Sequence, residues 1–337
     1  MLPSSLKSYE NSSLNNVFPK GMTISVIGCG ALGSAILSRL MDACENMRKK
    51  SNEAPFDRFF ATVSCEESRS SLLSRFSEHQ TRFRAYCGEN DLWMDAADIV
   101  VLAFRPCMID KILSQKGVRD ALAGKLVISL LDETPRRRLE NAISISESSA
   151  IGEKRSSLYS SITYVPNEKP PYLKCVTVGK AVEHGKAVTV IETPPIVGAN
   201  ETFEKMTRWI FNQCGKTIET VPENFGIGSV LSAASAVSLS VAVDGILDAA
   251  VSQGLERAQA REIVGQSLIS LGTLLQNNIR PSDLREEACR PQGSTMAGLI
   301  SLEEDRARWA FCKAIITDSE RSKQIILTAT SSIQDHR

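Results

Sequence analysis

Histidine, aromatic residues and charge of a single sign are all in short supply in this sequence. Three histidines (His79, His184, His336) lie far apart among 337 residues. No Cys-x-x-Cys pair occurs either, so no metal site can be read from ligand spacing. The 39 basic residues match the 39 acidic ones, and the missing positive surplus argues against a nucleic-acid binder. A clean bilayer-length apolar run is missing too. The most apolar stretch, Val230–Leu247, is interrupted by serines and Asp244 and reads as a buried helix. Residues 1–20 have no apolar centre, no arginine, and one acid, Glu10. They resemble neither a secretory signal nor a transit peptide, and a disordered leader over residues 1–21 is expected.

What is present is ordinary. With 42% hydrophobic and 6% aromatic residues, the chain is globular by composition and long enough for one large or two medium domains. Its nine cysteines are dispersed and odd in number. They suit small buried thiols in a reducing compartment, which makes the cytoplasm the expected location.

Near-continuous apolar runs at Met22–Ile27, Phe59–Val63, Ile99–Ala103 and Lys125–Leu131 predict strands buried on both faces of a parallel sheet. Helical spacing follows at Ser34–Met41 and Met108–Leu113. A polar insertion, Cys44–Asp57, delays the second strand. This alternation predicts a doubly wound α/β domain. Ser161–Val165, Cys175–Val178 and Val188–Ile191 extend the sheet, with Glu183–Lys186 turning a hairpin between the last two. Past Val221-Pro222-Glu223-Asn224 the chain reads helical, so the domains are placed at 22–222 and 223–337.

The first strand runs straight into Gly28-Cys29-Gly30-Ala31-Leu32-Gly33. A lone G-x-G-x-x-G is weak, but here it follows a predicted strand and opens a predicted helix. Gly28 permits the tight turn, Gly30 lets backbone approach a pyrophosphate, and Gly33 lets helix pack closely on strand. The helix start then offers free N–H groups to phosphate. NADH and NADPH are separated at the end of the second strand. Glu66 there leans towards NADH, while Ser64, Ser68 and Arg69 could serve a phosphate; the choice stays open.

A second constellation, Pro291-Gln292-Gly293-Ser294-Thr295, opens another helix and makes a site suited to a carboxylate. Together with the glycine turn, these residues resemble the pyrroline-5-carboxylate reductase family over roughly residues 22–330. The family's Pro-Gly-Gly-Thr-Thr-x-Ala-Gly-Leu signature looks like Pro291–Leu299. Its Ala-Val-Lys-Pro strand end looks like Ala103-Phe104-Arg105-Pro106, and its Met-Pro-Asn segment like Val165-Pro166-Asn167.

The resemblance implies a Rossmann domain followed by an all-helical dimerisation domain, with hydride transfer from NADPH or NADH to a cyclic imine. It implies a homodimer, in some members part of a larger ring, while composition and hydropathy argue against a membrane or nucleic-acid partner. It assigns Thr295 to the ring nitrogen and Gly293 and Ser294, with Ser232 and Ser235, to the substrate. Gly28–Gly33, Ser64, Glu66, Ala103, Arg105, Pro106 and Asn167 fall to the cofactor.

Departures from the family cluster around the substrate. Its Ser-Gly-Ser-Gly-Pro-Ala helix reads Ser232-Ala233-Ala234-Ser235-Ala236-Val237, which adds bulk and removes a kink. The residue before the signature proline is Arg290, and the following Gly-Gly pair is Gln292-Gly293. An Ala-Gly pair after the fifth strand is Leu131-Asp132 or Asp132-Glu133. These changes favour a related but altered imine over ordinary proline synthesis. A carbonyl reductase of the hydroxyacid-dehydrogenase type, for which Lys216 or Asp244 would be the nearest acid, and a cofactor-binding paralogue without catalysis are the alternatives.

Overall fold

The computed structural model describes residue 19 and residues 21–145, 170–193, 200–290 and 293–331. Asn167, the strand read at Ser161–Val165 and nearly all of the expected leader lie outside the described residues. The chain divides into two compact units, residues 1–232 with 322–337, and residues 233–321.

The first unit is an eight-stranded sheet: β1 (Met22–Ile27), β2 (Phe56–Val63), β3 (Phe83–Cys87), β4 (Ile99–Leu102), β5 (Leu126–Ser129), β6 (Tyr172–Val178), β7 (Ala187–Glu192) and β8 (Gly215–Thr220). Its order is β3-β2-β1-β4-β5-β6-β7-β8. Every pairing is parallel except β6 with β7. The predicted doubly wound sheet is therefore present, and the chain reverses its direction of growth at β1.

The apolar runs form strands because both of their faces are covered. In β4, Ile99 and Val101 join one hydrophobic cluster, while Val100 and Leu102 join the other. Side chains alternate across a strand, so an unbroken apolar run is what a two-sided sheet requires. Helix α1 (Ala31–Ser51) lays Ile36, Leu37, Leu40, Met41 and Cys44 on the first cluster. It is followed by α2 (Glu66–Arg75) and α3 (Asn90–Asp95). The short helices α4 (Ile109–Leu113) and α5 (Val118–Leu122), with α6 (Arg136–Ile145), cover the opposite face. The predicted hairpin also forms, since a short 3-10 turn at Val182–His184 joins the antiparallel β6 and β7.

Several expectations need correction. The helix read at Ser34–Met41 begins three residues earlier and runs on to Ser51, so most of the polar insertion is the exposed end of α1. Strand β2 starts at Phe56. Strands β3 and β8 and helix α7 (Glu201–Asn212) were not anticipated. β3 carries the charged Arg84, and β8 is a polar edge strand of alternating exposure. Neither shows the apolar run that marks the central strands.

The helical part comprises α8 (Pro222–Ser252), α9 (Arg257–Gln276), α10 (Pro281–Ala288), α11 (Ser294–Glu304) and α12 (Ala307–Ser331). Helix α8 is long and apolar enough to cross a membrane by length and composition, yet only 17% of its most apolar window is buried. The expectation of a buried helix is thus not met within a single chain. Val237 is 56% exposed and Val241 73%. On α9 and α12, Ile263, Ile269 and Trp309 are more than half exposed as well.

Candidate active site

The glycine turn sits at the carboxyl end of β1, where the strand order reverses, the place at which open α/β sheets bind ligands. Each glycine has its own geometric reason. Gly28 adopts φ +76°, and a Cβ on it would lie 2.4 Å from the Phe104 Cβ. Gly33 faces β1, where an added Cβ would come within 2.9 Å of Val26 Cγ1. Gly30 is different, with nothing within 4 Å of a Cβ built there. Two glycines are thus demanded by the protein's own packing, and the third leaves open space at the helix start.

Gly30 is the N-cap of α1; no side chain caps this helix, and its first turn holds no acid. The first N–H groups of a helix have no intrahelical partner, so they are left for an anion. The cradle fits a pyrophosphate. Behind it, the Gly28 N–H donates to Thr62 Oγ1 at 3.3 Å, and the Thr62 hydroxyl donates to Asn90 Oδ1 at 2.8 Å. This brace was not foreseen; Thr62 reads in sequence as one more β-branched strand residue. Cys29 faces inward, its N–H donating to the Thr62 carbonyl, and burial pushes its thiol up to about 12. Ala31 is exposed and Leu32 half-buried.

At the end of β2, Ser64 is exposed, and Glu66 opens α2. The Arg69 guanidinium donates through Nη1 to both Glu66 oxygens, at 2.9 and 3.1 Å, and through Nε to the Ala85 carbonyl at 2.9 Å. The acid and the base that pulled the cofactor expectation in opposite directions are therefore paired with each other.

On the other side of β1, the Ala103 N–H donates to the Ile27 carbonyl and the Leu130 N–H to the Leu102 carbonyl, each at 2.9 Å. The ends of β1, β4 and β5 are thereby tied into one ledge. Ala103 and Phe104 are half-buried there, while Arg105 and Pro106 are exposed at the start of a 3-10 turn. Asp132 follows β5 on the same ledge. Burial pushes its carboxyl above the ordinary carboxylate range, opposed by a hydrogen bond from Thr177.

In the helical part, Gly293 is the N-cap of α11, with Ser294 and Thr295 in its first turn, both exposed. This helix too lacks a capping side chain and a first-turn acid. On α8, Ser232 is buried with its hydroxyl on the Ser229 carbonyl at 3.0 Å, while Ser235 is partly exposed. Lys216 lies on the edge strand β8, and Asp244 lies on α8. Among the described residues, no cluster of three or more metal-ligating side chains occurs.

Comparison with known proteins gives this geometry a lineage. Residues 222–325 match the family described as pyrroline-5-carboxylate reductase dimerisation. Residues 23–133 match the family described as NADP oxidoreductase, coenzyme F420-dependent. A delta-1-pyrroline-5-carboxylate reductase of Curvularia clavata is 26% identical over 321 residues, covering 90% of this chain and 96% of its own length. The pyrroline-5-carboxylate reductase of Lophium arboricola is 24% identical over 303 residues, covering 87% and 90%. Among solved structures, the enzyme of Streptococcus pyogenes shares the fold with a TM-score of 0.69 at 20% identity, covering 90% of this chain and 99% of that one. The Plasmodium falciparum pyrroline carboxylate reductase with NADP bound gives 0.68 at 19% identity, covering 91% and 98%. The glycine turn, the signature at the start of α11 and two family matches in order agree: along most of its length the chain is similar to pyrroline-5-carboxylate reductases, and residues 222–325 match their dimerisation family.

Proposed function

We propose that this protein is an NAD(P)H-dependent reductase of a cyclic imine, 1-pyrroline-5-carboxylate or a related pyrroline, giving proline or a proline analogue. The observation that carries this reading is the uncapped start of α1, open above Gly30 and lying at the sheet's switch point. When bound, the reduced dinucleotide supplies a hydride. The chain's part is to bind and orient both ligands.

Gly28–Gly33 would hold the pyrophosphate through backbone. Ser64 and Glu66 would face the adenosine ribose, with Arg69 able to take a 2′-phosphate if it leaves Glu66. Ala103, Arg105 and Pro106 would flank the nicotinamide. At the other anion site, the Gly293–Thr295 helix start would take the substrate carboxylate, and the Thr295 hydroxyl would bond the ring nitrogen. A protonated imine is already electrophilic, so orientation and electrostatics are the main demands. The bulkier Ser232–Val237 segment favours an imine altered from that of proline synthesis, as in specialised metabolism.

The protein works as a homodimer through its C-terminal helices, and we infer a cytoplasmic location from its nine free cysteines. Following NAD(P)H oxidation with pyrroline-5-carboxylate against methylated and carboxylate-free pyrrolines tests the reading. Turnover of at least one pyrroline is expected, and cofactor binding with no turnover across the panel refutes it. Thr295→Ala should slow an accepted carboxylate-bearing imine about 10- to 100-fold, the loss of one well-placed hydrogen bond to a charged group.

A further inference from the structure

Thr62 spends both its side chain and its main chain on the glycine turn, a task that packing alone does not give a strand residue. It is the penultimate residue of β2, buried, and pairs with Ile27, the last residue of β1. The Gly28 N–H donates to its hydroxyl at 3.3 Å, and the Cys29 N–H donates to its carbonyl at 2.8 Å. Gly30 turns its own N–H back onto the Gly28 carbonyl at 2.8 Å. Three consecutive N–H groups are thus consumed inside the protein, two of them by one residue. The first intrahelical bond of α1 runs from the Ser34 N–H to the Gly30 carbonyl at 2.9 Å. Between these two sets lie the N–H groups of Ala31, Leu32 and Gly33, which open the helix without an intrahelical partner. These are the donors left to meet a phosphate.

The direction of the Thr62 hydroxyl is set as well. A threonine hydroxyl has one proton and two lone pairs. Gly28 can only donate from its N–H, so the Thr62 proton must point elsewhere for that bond to form. Asn90, the first residue of α3, takes the proton, the hydroxyl donating to its Oδ1 at 2.8 Å. A lone pair is thereby left facing Gly28. On its other side the turn has little freedom, since Gly28 sits at φ +76° and Phe104 fills the space where a Cβ would stand. Phe104 closes the turn from the β4 side and Thr62 closes it from the β2 side. All of these residues belong to one compact unit.

On the reading of Gly28–Gly33 as the cradle of the cofactor pyrophosphate, we propose that Thr62 is the positioning residue of that cradle, with Asn90 orienting its hydroxyl. Being buried, Thr62 itself meets no ligand. By claiming the Gly28 and Cys29 N–H groups it fixes the peptide planes that follow. The Ala31, Leu32 and Gly33 N–H groups then converge before the dinucleotide arrives. Donors that are already aligned need no ordering on binding, and the saving appears as affinity. Without the hydroxyl the Gly28 N–H loses its acceptor, and the turn must be ordered by the ligand. The deficit falls on the part of the ligand that uses the turn, its pyrophosphate, and spares the adenosine.

The test measures binding of NADPH, NADH, ADP and adenosine, the last two by displacement of a fluorescent reduced dinucleotide. The ratio of ADP affinity to adenosine affinity isolates the pyrophosphate. Thr62→Val keeps the side chain's shape and removes its hydroxyl, so it should lower that ratio roughly tenfold, with a matching loss on both dinucleotides. Thr62→Ser keeps the hydroxyl and should hold the ratio within about twofold of wild type. Asn90→Ala lets the hydroxyl proton swing towards Gly28 and should lower the ratio roughly threefold. The double variant should be no worse than Thr62→Val, because both changes act through one hydroxyl. A merely structural role would weaken ADP and adenosine alike. Such equal losses, a wild-type ratio in Thr62→Val, a Thr62→Ser as low as Thr62→Val, or additive losses in the double variant would overturn the assignment. Should Thr62→Val fail to fold, Asn90→Ala, altered at a partly exposed position, carries the same comparison, and an unchanged ratio there overturns it too. Wild type that binds neither dinucleotide would instead sink the cofactor reading, and this inference with it.

Discussion

A methyl group added at Gly28 and one added at Gly30 should have opposite consequences, although only Cys29 lies between them. At Gly28 the left-handed backbone and the 2.4 Å approach of Phe104 combine strain with overpacking. Gly28→Ala is expected to cost about 3 kcal/mol or more in chemical denaturation. Gly30→Ala meets nothing of the protein, so its unfolding midpoint should stay at the wild-type value. Its methyl group would instead stand where phosphate approaches, and NAD(P)H affinity by fluorescence titration should fall roughly tenfold or more. Unchanged affinity would remove Gly30 from the cofactor site. Asp132 supplies a second residue-scale test. A carboxyl whose folded pKa is raised binds its proton more tightly in the folded state, so its contribution to stability falls as pH rises above 3.8 towards the folded value. Asp132→Asn should match wild type below about pH 3 and gain on it up to neutrality. Denaturation curves at several pH values check this sign.

Among the elements, β6 and α7 are joined by a charged contact that has no part in the chemistry. Lys174 is fully buried, with Nζ donating to Glu204 Oε1 and Oε2 at 3.0 and 2.8 Å and to the Glu192 carbonyl at 2.6 Å. The Tyr172 hydroxyl donates to Glu204 as well. Removing one partner of a buried pair strands the other, so Glu204→Gln should cost about 3 kcal/mol in unfolding free energy. Replacing Lys174 and Glu204 together by Met and Leu should recover much of it. A negligible effect of Glu204→Gln would show that the pair is solvated in solution. This network also shows where sequence reading stops. β1, β4 and β5 announce themselves because a strand covered on both faces must be apolar throughout. Lys174 interrupts that pattern in β6, and the reading recovered only the end of this strand, from Cys175. Gly28–Gly33 and Gly293–Thr295 were legible because each motif is local. Thr177 and Ser229, whose hydroxyls lie 2.9 Å apart, come together only through strand order and the path of α8, and a chain read residue by residue shows nothing of that pairing.

For the whole molecule, the exposed apolar residues of α8, α9 and α12 are the dominant fact. Val241, Ile269 and Trp309 would be a liability on a lone chain, and the match of residues 222–325 to a dimerisation family supplies their cover. Val241→Glu should shift the protein from dimer towards monomer or aggregate in size-exclusion chromatography with light scattering, and lower its solubility. A fully dimeric Val241→Glu would place this face outside the interface. The scarcity of aromatics is consistent with such a surface, since helices rich in Ala, Ser, Leu and Ile can approach one another closely.

That bare helical face also ties the protein's working fraction to its abundance. Where folding and pairing are linked, the paired fraction depends on how many chains are present. Near the dissociation constant, halving the supply would remove more than half of the paired chains. A cell could then silence this reductase by modestly lowering its synthesis, with no inhibitor and no change in the catalytic groups.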